Sequence, residues 1–204
     1  MSMSARTSSS APNPVPAPAP ANSNRWSTKQ LVTMALMCAI SLVLTFVEFV
    51  IFPNVPFLKL DVSLVPSAVV GFAYGPVPGI VVGLISAVGH AAITGNWVGA
   101  IMNVIVTIAF IAPSSLIYKR FHTFKGAIVS LVVGALVVVG ISGPANLIVD
   151  PLLYGVPMEM IMEFMPFIIA FNAIKGVLIA VLTGVVYKSI SNLITSAKDQ
   201  VKGR

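Results

Sequence analysis

The chain has 204 residues, of which 57% are hydrophobic and only 9% charged, with 12 Lys and Arg against 6 Asp and Glu. A mean hydropathy of +0.97 is more than a water-facing surface of this size tolerates, so the composition excludes a soluble domain and indicates an integral membrane protein. The basic excess does not gather with aromatics or along one amphipathic helix, which argues against nucleic-acid binding, and the single cysteine, Cys38, leaves no disulfide framework or cysteine metal site.

In chain order, residues 1–24 are rich in Pro, Ala and Ser and lack the aromatic or long aliphatic clusters that would offset the entropy of ordering. A disordered cytoplasmic tail is expected over residues 1–28, a membrane domain over 29–190 and a basic cytoplasmic tail over 191–204. No apolar core of a secretory signal lies near the start. A membrane-spanning helix needs about 20 mostly apolar residues. Residues 31–52, 80–93 with a lead-in from 76, 98–118, 128–147 and 165–187 read as spans. Residues 62–74 are apolar but about 20 Å long as a helix, and read as a short or slanted sixth span. FPNVPF at 52–57, GPVPG at 75–79, TGNW at 94–97 and GPAN at 143–146 read as the breaks. The expected fold is an all-α integral membrane protein with six transmembrane helices.

Charge placement agrees with that number, because Lys and Arg are retained on the cytoplasmic side. With both termini inside, Arg6, Arg25 and Lys29, then Lys119, Arg120 and Lys125, then Lys188, Lys198, Lys202 and Arg204 all fall in the cytoplasm. Lys59 falls in the first outer loop, and Lys175 lies within the membrane.

Lys175 is the residue that most needs a reason. A lysine at the centre of a span costs about 2.5 to 3.5 kcal/mol on insertion scales and is usually paired or turned to a cavity. It sits about 16 Å from either end of its run, beyond the roughly 6 Å that a lysine stem reaches by snorkelling. Asn172, three positions earlier, shares its helical face. Asn103 and Asn146 add uncharged hydrogen-bonding groups on neighbouring spans, and together the four residues suggest a polar cavity opening outward. Glu48 is either a ligand contact, a partner for Lys59 or an interfacial carboxylate, and His90 reads as a structural histidine. GISG at 140–143 resembles the serine motif of rhomboid intramembrane proteases, but both histidines precede Ser142, so a hydrolase is a remote alternative. No Walker sequence, paired carboxylates or metal-ligand spacing is present, so energy from ATP would have to come from a partner chain.

FLKLDVSLVP at 57–66, followed by GFAYGPVPGIVVGLI at 71–85, resembles the signature of the substrate-binding S components of energy-coupling factor (ECF) vitamin transporters, particularly the riboflavin-specific branch. FNAIKG at 171–176 resembles the branch's PFNxIKG and VVYKSI at 185–190 its closing motif. The resemblance implies a six-helix transport subunit, not an enzyme, with riboflavin as transported substrate and no cofactor or metal of its own. It implies capture of the vitamin from outside, and association with a transmembrane coupling subunit and two cytoplasmic ATPases. It assigns Asn172 and Lys175 to the ligand pocket, makes Phe57, Leu58, Lys59 and Asp61 a lid, and adds Asn103 and Asn146 as pocket amides. Phe57, Phe167 and Phe171 are the implied contacts for a flat ring. ALMCA resembles the family's AxxxA motif, which places Ala35 and Ala39 at the coupling subunit; small residues four apart let another helix approach. Leu64, Ser86 and Ala100 depart from the branch's charged positions, which leaves pantothenate or folate as alternative vitamins, and an anionic vitamin would pair naturally with Lys175.

Overall fold

A computed structural model describes residues 26–202, with side chains described through Lys188. Most of the expected N-terminal tail and the side chains of the basic tail therefore lie outside the described residues. Helix α1 (Thr28–Thr45) opens with a capping box between Ser27 and Gln30, which satisfies two orphan donors at its first turn. The first span ends at Thr45, not at residue 52. The aromatic and β-branched stretch that follows suits an extended chain better than a helix. It forms a two-residue strand, β1 (Phe49–Val50), paired antiparallel with β2 (Lys59–Leu60), with Phe49 opposite Leu60 and Val50 opposite Lys59.

The short apolar segment is helix α2 (Leu64–Tyr74), and nine of its eleven residues are buried. A helix that is apolar on every side belongs inside a bundle, and α2 packs against α1, α3 (Pro76–Thr94), α4 (Trp97–Arg120) and α6 (Met158–Lys202). At 1.5 Å per residue it covers about 16 Å, half the membrane core. Gly75, at φ +101°, makes the reversal from α2 into α3, where a side chain would be strained. Gly79 faces the Gly71 backbone so closely that a Cβ would come to 2.7 Å, which holds the two helices together.

The remaining helix, α5 (Phe124–Tyr154), has 31 residues and continues through Pro144 and Pro151. The expected break at GPAN is therefore absent. In a bundle, packing against neighbouring helices keeps a helix intact across the single bond that a proline removes, and α5 lies along both α4 and α6. It stops at Gly155, which is left-handed at φ +64°. The last helix likewise begins at Met158, earlier than residue 165, and runs through Pro166. Among the described residues five helices are long and apolar enough to cross a membrane, and the shorter apolar α2 makes six. Lys119 and Arg120 close the last turn of α4, where they suit both the cytoplasmic side and the negative end of the helix dipole.

The inner half of the bundle is closely packed. Phe72 stacks on Tyr118 with ring centroids 4.6 Å apart, and Tyr187 meets both rings edge-on. The Tyr118 and Tyr187 hydroxyls hydrogen-bond to each other. Cys38 is half-buried and packs against the cluster of Met34, Val70 and Val82.

Candidate functional site

The outer half of the bundle encloses a cavity of about 170 Å³, lined by Phe57, Leu58, Lys59, Asp61, Asn103, Asn146, Phe171, Asn172 and Lys175, so that of the residues expected to contact substrate only Phe167 lies outside its lining. Around its rim Phe57, Lys59, Asn96 and Tyr154 are exposed, whereas Asp61, Asn146, Phe171, Asn172 and Lys175 are buried. The cavity thus opens outward and is closed below by the packed inner half.

At its floor Lys175 does not stand alone. Its Nζ donates to Asp61 Oδ2 at 2.8 Å and to Asn103 Oδ1 at 3.3 Å. Lys175 and Asp61 are 5% and 6% exposed, so the pair is desolvated and its mutual attraction is little screened. Asp61 Oδ1 accepts from the Ser63 backbone N–H at 2.9 Å and from the Ser63 hydroxyl. The Ser63 carbonyl in turn accepts from Ser41 on α1 at 2.7 Å. Burial on its own would raise the Asp61 carboxyl, but the Lys175 ammonium and the two Ser63 bonds outweigh it and hold the group below the usual carboxylate range. A lysine at this depth is expected to be paired or turned to a cavity, and Lys175 is both: Asp61 matches its charge at the cavity floor, and Asp61 is an anchor of the loop as well as part of it.

The two asparagines follow another rule. Asn146 Nδ2 donates to the Ser142 carbonyl at 2.7 Å and Asn172 Nδ2 to the Ile168 carbonyl at 2.9 Å, each one turn back on its own helix. A carbonyl can only accept, so these bonds fix the orientation of both amides. Among the described residues neither amide oxygen has a hydrogen-bond partner, which leaves each as an acceptor at the cavity. The apolar lining comes from Phe57, Leu58, Val98, Met102, Val106 and Phe171. Phe167 is not part of it. It packs edge-on to Phe52 at 5.5 Å, in the cluster beneath the loop.

Above the floor Lys59 pairs with Glu48 across the ribbon, as one of the three readings of Glu48 expects, and Glu48 also lines the cavity. His90 lies edge-on to Phe46 at 5.2 Å and also lines the cavity. Ser142 is buried and donates to the Val139 carbonyl at 2.9 Å; His122 sits against Tyr118 at the opposite end of the bundle. Asp150 and Tyr154 were not expected at the cavity. With Asn146 they form an i, i+4, i+8 stripe, a signal hidden by reading GPAN as the end of the helix. A second cavity of about 10 Å³, lined by Lys175, Ser41, Ser67, Ser86 and Thr107, has room for about one water molecule beside the ion pair.

Comparison with known proteins agrees with this architecture. Residues 29–187 match the family described as "ECF transporter, substrate-specific component". The chain is 31% identical over 179 residues to the riboflavin transporter RibU of Staphylococcus aureus, covering 84% of this chain and 95% of that one. It is 29% identical to the riboflavin transporter FmnP of Bacillus subtilis, covering 78% and 90%. A solved structure reported under "Structure and mechanism of the S component of a bacterial ECF transporter" superposes with a TM-score of 0.73 at 32% identity, covering 81% of this chain and 97% of that one. Family, fold and spans agree on a multi-pass transport subunit with no enzymatic role, which rules out the serine hydrolase; the chain belongs to the substrate-specific S components of ECF transporters.

Proposed function

We propose that the cavity captures riboflavin from the outer face and that the subunit then hands it to a coupling subunit driven by two cytoplasmic ATPases. The observation that carries the choice of vitamin is the matched charge at the floor. A carboxylate ligand such as pantothenate or folate needs an available cation, and Lys175 is occupied by Asp61 at 2.8 Å. A neutral flavin needs instead a flat apolar wall and acceptors for ribityl hydroxyl and ring N–H groups. Phe57, Leu58 and Phe171 supply the first, and the open oxygens of Asn146 and Asn172 the second. Two similar proteins described as riboflavin transporters support the same reading.

The cavity of about 170 Å³ is smaller than the roughly 300 Å³ at the low end of pockets for ligands of this size. The loop bearing β1 and β2 therefore has to shift outward to admit the ring. Its two-residue strands and the partly exposed Lys59–Glu48 pair hold it only weakly.

For the partner, α1 is the least buried of the long spans, and Ala35 and Ala39 both lie exposed on it. That leaves a shallow strip on which a coupling helix can pack closely. Fluorescence quenching of riboflavin by purified protein, with folate and pantothenate as competitors, tests the assignment. Riboflavin quenching that neither competitor relieves is the expected result; no quenching, or displacement by either acid, rejects it. Ala35→Trp should leave that quenching intact while preventing co-purification with the ECF module.

A further inference from the structure

The ionisable side chains around the cavity form a charge balance that does not close. Lys59 is matched by Glu48 and Lys175 by Asp61. Asp150, half-buried on α5 one turn outward of Asn146, lines the same wall. Among the described residues it has neither an ion-pair nor a hydrogen-bond partner. Of the other ionisable groups at the cavity, His90 is turned to the Phe46 ring and the Tyr154 hydroxyl is directed to Asn96 Oδ1 at 3.5 Å. The wall between floor and rim therefore carries one uncompensated carboxylate.

We propose that Asp150 is a specificity-determining residue that rejects phosphate-bearing forms of the ligand, so that the cavity selects the free vitamin over its 5′-phosphate. The inference rests on the flavin reading above. A phosphate monoester carries about −1.5 to −2 charge at pH 7, and both ends of the cavity are unfavourable to it. If the ribityl tail points inward, the phosphate meets Lys175, whose charge Asp61 already cancels. If the tail points outward, it passes Asp150 on the way to the rim. The opposing influence is the N-terminus of α4, where Val98 and Gly99 line the cavity. A helix end is equivalent to about +0.5 charge, and this one is already in use. The Gly99 N–H donates to Asn96 Oδ1 at 2.9 Å, while the Trp97 and Ala100 N–H groups donate to the Gly95 and Asn96 carbonyls. A whole negative charge outweighs what remains.

The test measures quenching of riboflavin and of riboflavin 5′-phosphate by the full chain in detergent, at low and high salt. The wild type should bind riboflavin at least about tenfold more tightly than the phosphate. Raising the salt should narrow that ratio by strengthening binding of the phosphate form, because screening weakens repulsion. Asp150→Asn should reduce the ratio at least about fivefold at low salt. Equal wild-type affinities overturn the proposal, as does a ratio that neither salt nor Asp150→Asn changes, which would mean exclusion by shape. Should Asp150→Asn fail to fold, the salt series on the wild type decides alone. If neither flavin quenches, the flavin reading fails first, and that outcome is distinct from both.

Discussion

Two ion pairs hold the loop between α1 and α2, and they differ in nearly everything except charge. Glu48 and Lys59 meet across the ribbon at the surface, with side chains 28% and 46% exposed. Asp61 and Lys175 meet 114 residues apart in sequence, in the interior, where both are almost fully covered. At the surface water competes with the contact, and such pairs contribute about 0 to 1 kcal/mol. In the interior each charge has given up its hydration, so the loss of one partner strands the other. The loop therefore has a firm base, tied to α6 through Asp61 and to α1 through Ser63, and a weakly held tip. That is the arrangement expected of a lid that moves about a fixed floor.

The largest effect should come from breaking the inner pair. Lys175→Met leaves Asp61 buried without its cation and should cost about 3 to 5 kcal/mol of stability, read as a lowered unfolding midpoint in detergent. Riboflavin affinity should fall at least about a hundredfold, because the floor of the cavity loses its anchor as well as its donor. An intermediate effect separates the polar acceptors from the pair: Asn172→Leu removes an open amide oxygen and should weaken binding by about 1 to 2 kcal/mol, with little change in the unfolding midpoint. Titration of that variant with riboflavin checks both halves of the statement. The smallest effect belongs to the tip. Glu48→Gln should change stability by less than about 1 kcal/mol, and the change should shrink further at high salt. A rise in the rate of riboflavin association, measured by stopped-flow quenching, would show that the outer pair acts on lid opening.

Much of this was legible in the chain. Hydropathy located all six helices, because a span must satisfy its own backbone and present apolar side chains. Lys175 was conspicuous because a charge in that position is costly, and the helical period brought Asn172 to its face. The partner of Lys175 was not legible. A contact between Asp61 and Lys175 leaves no local pattern, and a lysine waiting for a ligand looks the same in sequence as a lysine already paired. Strands of two residues are too short for an alternating pattern, so β1 and β2 were missed. Pro144 and Gly143 carry the chemistry of a turn, yet packing against α4 and α6 keeps α5 helical through them. That one misreading also concealed Asp150 and Tyr154, which become neighbours of Asn146 only if the helix continues.

If Lys175 and Asp61 act as one neutral unit at the floor, the ligand they support is uncharged. A double-mutant cycle on Lys175→Met and Asp61→Asn, with riboflavin affinity as the readout, tests it most directly. If the two act as a unit, removing both charges should restore part of what either single change removes, with a coupling of about 2 to 3 kcal/mol. Strictly additive losses would contradict the account and would mean that Lys175 serves the ligand independently of Asp61.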